Sequence, residues 1–208
     1  MITIPPHVQC IAAVKYADHD SIEKIIAEGF ANLGWSTVQH FLKTIPLFKQ
    51  QGLEHHFIGH LQSNKVEELL SHEIALIHSV DSEKLLFKIN TTAEQKNKVQ
   101  KILLQVKTDP EKEFGFSPEE IQKKLSEWKK LSGVGILGLM TIPPAVKNPE
   151  ENREMFRTMK KLADSLRLAE LSMGMSDDYE IAIEEGATMI RLGRILFEKN
   201  PENSTHNK

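Results

Sequence analysis

Ile102-Leu103-Leu104-Gln105-Val106, then Ser117-Pro118-Glu119-Glu120, then Val134-Gly135-Ile136-Leu137-Gly138-Leu139-Met140 form an apolar run, a helix start and a second apolar run. A short continuous apolar run bounded by polar segments reads as a strand buried on both faces. Ser117 stands at an N-cap with Pro118 at the first helical position, where a missing N–H costs nothing. Parallel strands need a crossover between them, so strand, helix, strand at this spacing is the unit of a parallel sheet.

The same alternation extends outward. Residues 11–14, 57–58, 74–77 and 189–192 are further apolar runs. Residues 21–28 place Ile22, Ile25 and Ile26 on one helical face, and residues 152–168 do the same with Met155, Phe156, Met159, Leu162, Ala163 and Leu166. Asp20 or Ser21 offers a cap to the first helix, and Asp81 and Ser82 precede another over residues 83–89. About eight such units in one domain make a TIM-type (β/α)8 barrel. A doubly wound open sheet buries its strands in the same way, and composition does not separate the two. The 208 residues suit a single domain, 1–208, with a polar tail over about 198–208 that is expected to fray.

Charge and cysteine usage narrow the function classes. The 26 Lys and Arg residues nearly balance 29 Asp and Glu residues, and the net charge of -3 provides no basic footprint for nucleic acid. Cys10 is the only cysteine, which excludes an intramolecular disulfide and a Cys-rich zinc site and suits a reducing cytoplasm. No basic start leads into an apolar run and no stretch reaches membrane-span length, so neither a signal peptide nor a membrane segment is expected.

In parallel α/β folds the ligand lies at the carboxyl ends of the strands. Lys15 directly follows the run at 11–14; it reads either as a lysine that marks a strand end and snorkels to water or as a nucleophilic amine at the barrel mouth. Leu171-Ser172-Met173-Gly174-Met175-Ser176-Asp177-Asp178 is a small-residue turn leading to a helix capped by Ser176 or Asp177, able to offer hydroxyl and N–H groups to a phosphate or to serve as a plain turn. Met189-Ile190-Arg191-Leu192-Gly193-Arg194 ends a strand with an arginine and a glycine, with a helix expected from Gly193. An amine, two phosphate-binding turns and a fixed cation are the parts a pyridoxal-phosphate site requires.

The segments His56-Phe57-Ile58-Gly59-His60-Leu61-Gln62-Ser63-Asn64-Lys65, Gly138-Leu139-Met140-Thr141-Ile142-Pro143 and 171–178 resemble the signatures of the pyridoxal-phosphate homeostasis protein family, collinearly over residues 11–197. The resemblance implies a barrel like the N-terminal domain of alanine racemase that binds pyridoxal phosphate without established turnover. It implies a Schiff base on Lys15, phosphate contacts from Ser172 and the backbone around Gly174 and Met175, and a second phosphate turn at Gly193 and Arg194. Arg191 matches the arginine that faces the pyridine nitrogen, and Met140 a residue lining the cofactor pocket. Delivery to pyridoxal-phosphate-dependent client enzymes, a monomeric state and a cytoplasmic location complete the expectation.

The sequence departs from the family at Val14-Lys15-Tyr16-Ala17-Asp18 and Leu33-Gly34-Trp35-Ser36, where similar proteins read Ser-Lys-Thr-Lys-Pro and Phe-Gly-Glu-Asn. Trp35 is a candidate obstruction of the pocket wall, Ser36 stands for an asparagine near the cofactor, and Arg194 stands for a small hydroxyl residue. The segment before the first strand is short beside the family's usual helix, which predicts a less covered flank. Two other readings stay open: an amino-acid racemase-like enzyme, which needs a second acid-base group, and a divergent member that has lost the cofactor. His55, His56 and His60 are close in sequence, but no metal site is expected from them.

Overall fold

A computed structural model describes residues 3–15, 17–48, 52–108 and 114–197. Eight strands, β1 (Gln9–Ala13), β2 (Asn32–Trp35), β3 (Glu54–Phe57), β4 (Leu76–Val80), β5 (Gln100–Gln105), β6 (Val134–Met140), β7 (Glu170–Ser172) and β8 (Met189–Leu192), pair in chain order. All pairs are parallel, and β8 returns to β1 with Gln9 opposite Met189 and Ile11 opposite Arg191. The sheet is a closed barrel, which removes the open doubly wound alternative.

The helices α1 (His19–Ala27), α2 (Val38–Thr44), α3 (Val66–Leu69), α4 (Glu83–Gln95), α5 (Pro118–Trp128), α6 (Arg153–Ser165), α7 (Tyr179–Glu184) and α8 (Arg194–Phe197) follow their strands. Local chemistry sets their starts. The side chains of Asp18, Thr37, Ser82 and Ser117 accept the N–H groups of Ser21, His40, Leu85 and Glu120, each satisfying one of the donors that a helix start leaves without a partner. The first cap is therefore Asp18, and neither Asp20 nor Ser21 takes that place.

Outward-facing strand residues and the inner stripes of the helices form one large core that includes Ile22, Leu33, Trp35, Phe41, Phe57, Ile77, Trp128 and Phe156. A separate, small cluster of Leu76, Leu103, Met140 and Met189 occupies the lumen. Gly34 marks where the lumen is tight: a Cβ there would lie 2.8 Å from Ile11 Cγ2 and 2.9 Å from Ile58 Cδ1.

Two strands, β2 and β7, lie outside the apolar runs, and β4 runs to Val80 instead of ending at Ile77. Their inward positions carry Asn32, Gly34, His78 and Ser172, which interrupt the apolar pattern. The polar tail from residue 198 lies outside the described residues, as does Tyr16.

Candidate functional site at the carboxyl mouth

Strands β7, β8 and β1 are consecutive in the barrel, so the residues that follow them share one sector of the mouth. Lys15 is exposed there, two residues past the end of β1. Beside it, Gly193 packs on Ala13: a Cβ would lie 3.5 Å from the Ala13 carbonyl oxygen. The Gly193 N–H donates to Ser176 Oγ at 3.3 Å, joining the turn after β7 to the turn after β8.

Gly174 makes that first turn possible. Its φ is +89°, and a Cβ would come within 2.5 Å of Ala182 Cβ, so a side chain is excluded on both conformational and packing grounds. Its carbonyl accepts the Arg191 N–H at 3.0 Å. Asp178 ties the turn from beneath, accepting the Met175 N–H at 2.7 Å and Asn152 Nδ2 at 3.0 Å. Helix α7 starts at Tyr179, so Ser176 and Asp177 belong to the turn and not to its cap.

Arg191 forms the floor. It is only 5% exposed, and it donates from one terminal nitrogen to Ser172 Oγ at 2.7 Å and from the other to the Thr141 carbonyl at 2.8 Å. Among the described residues no carboxylate forms an ion pair with it. Burial lowers its proton affinity and the charge of Asp178 opposes that effect. Guanidinium remains charged at neutral pH, so a buried cation is here hydrogen-bonded to neutral oxygens, with the Asp178 carboxylate acting on it without an ion pair.

The expected site residues divide between mouth and interior. Gly174 and Arg191 are joined by a backbone hydrogen bond, Gly193 packs on Ala13, and Lys15 follows β1 in the same sector. The Ser172 hydroxyl is fully buried between Arg191 and His78. The N–H of Met175 is already given to Asp178. Met140 lies fully buried in the lumen cluster. Arg194 opens α8 on the rim, exposed and paired with Asp177. Ser176, not singled out as a contact, is the hydroxyl that the turn presents.

Trp35 does not obstruct the mouth. It is fully buried in the outer core, edge-on to Phe41 and with Nε1 donating to His55 Nδ1 at 3.2 Å. Ser36 is partly buried, and its carbonyl oxygen would lie 1.9 Å from a Cβ at Gly59. The three neighbouring histidines separate: His55 faces Trp35, His56 faces the lumen, and His60 pairs with Asp81 at 3.0 Å. Among the described residues no group of three His, Cys, Asp or Glu side chains is placed to hold a metal ion. No helix of those residues is long and apolar enough to cross a membrane.

A closed parallel barrel with a lysine, a serine-backed glycine turn and a buried arginine at one mouth defines the class, the alanine racemase N-terminal domain, whose family model matches residues 3–201. The chain belongs, more narrowly, to the pyridoxal phosphate homeostasis protein family. The protein of that name from Aquifex aeolicus (strain VF5) is 41% identical over 194 residues, covering 90% of this chain and 85% of its relative. The Synechocystis sp. (strain ATCC 27184 / PCC 6803 / Kazusa) protein of the same name is 40% identical over 94% of this chain and 93% of its own. The solved structure of PipY from Synechococcus elongatus PCC7942 with PLP bound superposes with a TM-score of 0.87 at 36% identity, covering 93% of this chain and 94% of that one.

Proposed function

We propose that this protein holds pyridoxal 5'-phosphate at the carboxyl mouth of its barrel and serves cofactor homeostasis as a carrier with no turnover of its own. The observation that carries the reading is Arg191, a buried cation without an ion-pair partner among the described residues, beneath the sector where Lys15 and the Ser176–Gly193 pair meet. A buried charge is costly unless its surroundings offer compensation, and a ligand that presents an acceptor over the guanidinium supplies it. The likeness to PipY, solved with PLP bound, supports the same reading.

The residues present fit the group. When bound, pyridoxal phosphate supplies an aldehyde that condenses with a primary amine and releases water. Lys15 provides that amine from a strand end of fixed direction. Ser176 and Gly193 hold the phosphate, the hydroxyl and backbone replacing water around the oxygens. Arg191 donates to the ring nitrogen and keeps a proton off it, which weakens the electron withdrawal that amino-acid chemistry exploits. Ser172 acts on Arg191 and not on the phosphate.

As a single barrel domain the protein works as a cytoplasmic monomer and hands the cofactor to client enzymes. Mixing it with pyridoxal phosphate, desalting and reducing with borohydride leaves a stable adduct on the Lys15 peptide by mass spectrometry. Lys15→Ala carries none. An amino-acid racemisation rate well above that of free pyridoxal phosphate would replace the carrier with an enzyme, and absence of any retained cofactor would leave a divergent barrel without one.

A further inference from the structure

A line of polar side chains crosses the lumen beneath the mouth. Ser172 Oγ lies 2.9 Å from His78 Nδ1, His78 Nε2 lies 3.0 Å from His56 Nδ1, and His56 Nε2 lies 3.3 Å from Asn32 Oδ1. The last oxygen also accepts from Gln9 Nε2 at 2.8 Å, which in turn reaches Glu54 Oε2 at 3.3 Å. Strands β4 and β7 are not neighbours in the sheet, so the bond between His78 and Ser172 spans the interior. Ser172 and His78 are fully buried and His56 is 2% exposed; the far end, Glu54, opens to solvent at the amino end of β3.

The acceptor at the far end sets the direction of the bonds in this line: Asn32 Oδ1, which also accepts from Gln9 Nε2, requires the hydrogen of His56 on Nε2, so His56 Nδ1 accepts from His78 Nε2 and His78 Nδ1 is left as an acceptor. A guanidinium only donates, so Ser172 Oγ accepts from Arg191, and with His78 Nδ1 an acceptor the hydroxyl gives that nitrogen its own hydrogen. His78 must then carry its hydrogen on Nε2 and donate it to His56 Nδ1. His56 likewise carries its hydrogen on Nε2 and donates to Asn32. A second proton on His56 would set its Nδ1–H against the Nε2–H of His78 at 3.0 Å, and one on His78 would set its Nδ1–H against the Ser172 hydroxyl hydrogen at 2.9 Å. Burial accordingly lowers the proton affinity of both, to about 4 for His56 and well below the usual range for His78, with the neighbouring charges of His55 and Arg191 adding to the effect.

We propose that Ser172, His78 and His56 are positioning residues for the cofactor: a one-directional, uncharged hydrogen-bond line that points its acceptor ends at Arg191 and fixes the guanidinium toward the ring nitrogen. The proposal rests on the reading of the mouth as a pyridoxal phosphate site. Aligned dipoles in a water-poor interior stabilise a charge without neutralising it. Arg191 thus keeps its full charge for the ligand, which a carboxylate partner would have taken.

The first test needs no cofactor. Long-range 1H–15N spectra of histidine-labelled protein will show His56 and His78 as neutral Nε2–H tautomers from pH 5 to 8, whereas an Nδ1–H tautomer or a titration near the ordinary histidine value at either position overturns the line. The second reads the cofactor. With pyridoxal phosphate bound, His78→Leu will retain the adduct on Lys15 but move the pH midpoint of its visible absorbance by about one unit, a tenfold change in proton affinity. His78→Asn, whose amide oxygen can accept from Ser172 in place of Nδ1, will bring the midpoint back toward the unmodified value. An unmoved midpoint in His78→Leu overturns the positioning role. Failure of the unmodified protein to retain pyridoxal phosphate defeats the reading of the mouth instead, and the tautomers report the line independently of it.

Discussion

The two faces of the barrel sheet follow opposite rules. Outward from the strands, Leu33, Trp35, Phe57, Ile77, Leu104, Leu139 and Ile190 meet the helices in one apolar layer. Inward, Asn32, His56, His78, Ser172 and Arg191 are joined by hydrogen bonds beside a small apolar patch of Leu76, Leu103, Met140 and Met189. Apolar contact is non-directional and roughly proportional to area, so the outer layer stabilises the fold without specifying one arrangement of atoms. Hydrogen-bonded groups in a buried interior have fixed partners and a high cost if a partner is lost. The outer face supplies stability, and the inner face supplies orientation.

Substitutions separate these two contributions. Trp35→Ala should cost about 3–5 kcal/mol in urea unfolding, the range for deleting a large buried aromatic, while the folded fraction retains as much pyridoxal phosphate as the unmodified protein. Loss of retention in that fraction would break the division between faces.

Acid should come next, and it acts on the inner face. His56 and His78 have folded proton affinities below the unfolded value, so the unfolded chain binds more protons as pH falls. Stability is therefore complete above about pH 6.5 and falls toward about pH 4, by on the order of 3 kcal/mol for His56. The groups that face the pair are His55, Glu54, Ser172 and Arg191. His56→Gln should flatten the slope of unfolding free energy across that window; an unchanged slope would assign the acid sensitivity to other groups.

Smaller effects belong to the rim. Arg194→Ala removes an exposed pair with Asp177 and should change stability by about 0.2–1 kcal/mol at most, with pyridoxal phosphate still retained after desalting. Lys15→Ala should shift the unfolding midpoint least, within about 0.5 kcal/mol, yet abolish the borohydride-stable adduct. A large stability loss there would show that the lysine is part of the scaffold.

The same division explains what can be read from the amino-acid order. The runs at 102–106 and 134–140 announce β5 and β6 because both faces of those strands are largely apolar. Asn32-Leu33-Gly34-Trp35 and Glu170-Leu171-Ser172 hide β2 and β7, since each has polar or glycine residues on the lumen side. His78 and Ser79 conceal the last part of β4 for the same reason. At the site, Lys15, Gly174, Arg191 and Gly193 stand at strand ends or turns where periodicity stops and chemistry becomes visible. The partners of the Ser172 hydroxyl are not legible, because a serine next to a turn reads as a turn residue until the arginine and histidine that claim its hydroxyl are placed beside it. Trp35 misleads in the opposite sense: adjacent to a mouth residue in sequence, it faces the helices by the two-residue period of a strand.

The pairing of β1 with β8, Gln9 opposite Met189 and Ala12 opposite Leu192, also imposes an order of events in time. Lys15 is made early in synthesis and Arg191 late, and the ladder that brings them together spans nearly the whole barrel sequence. Contacts so distant along the chain form slowly, because the loop entropy is lost before the contact is gained. A nascent chain thus carries Lys15 long before Arg191 and the glycine turn exist beside it, and docking of β8 on β1 closes the barrel. Closure of the barrel by β8 is thus the step that brings the two ends of the ladder into one sector.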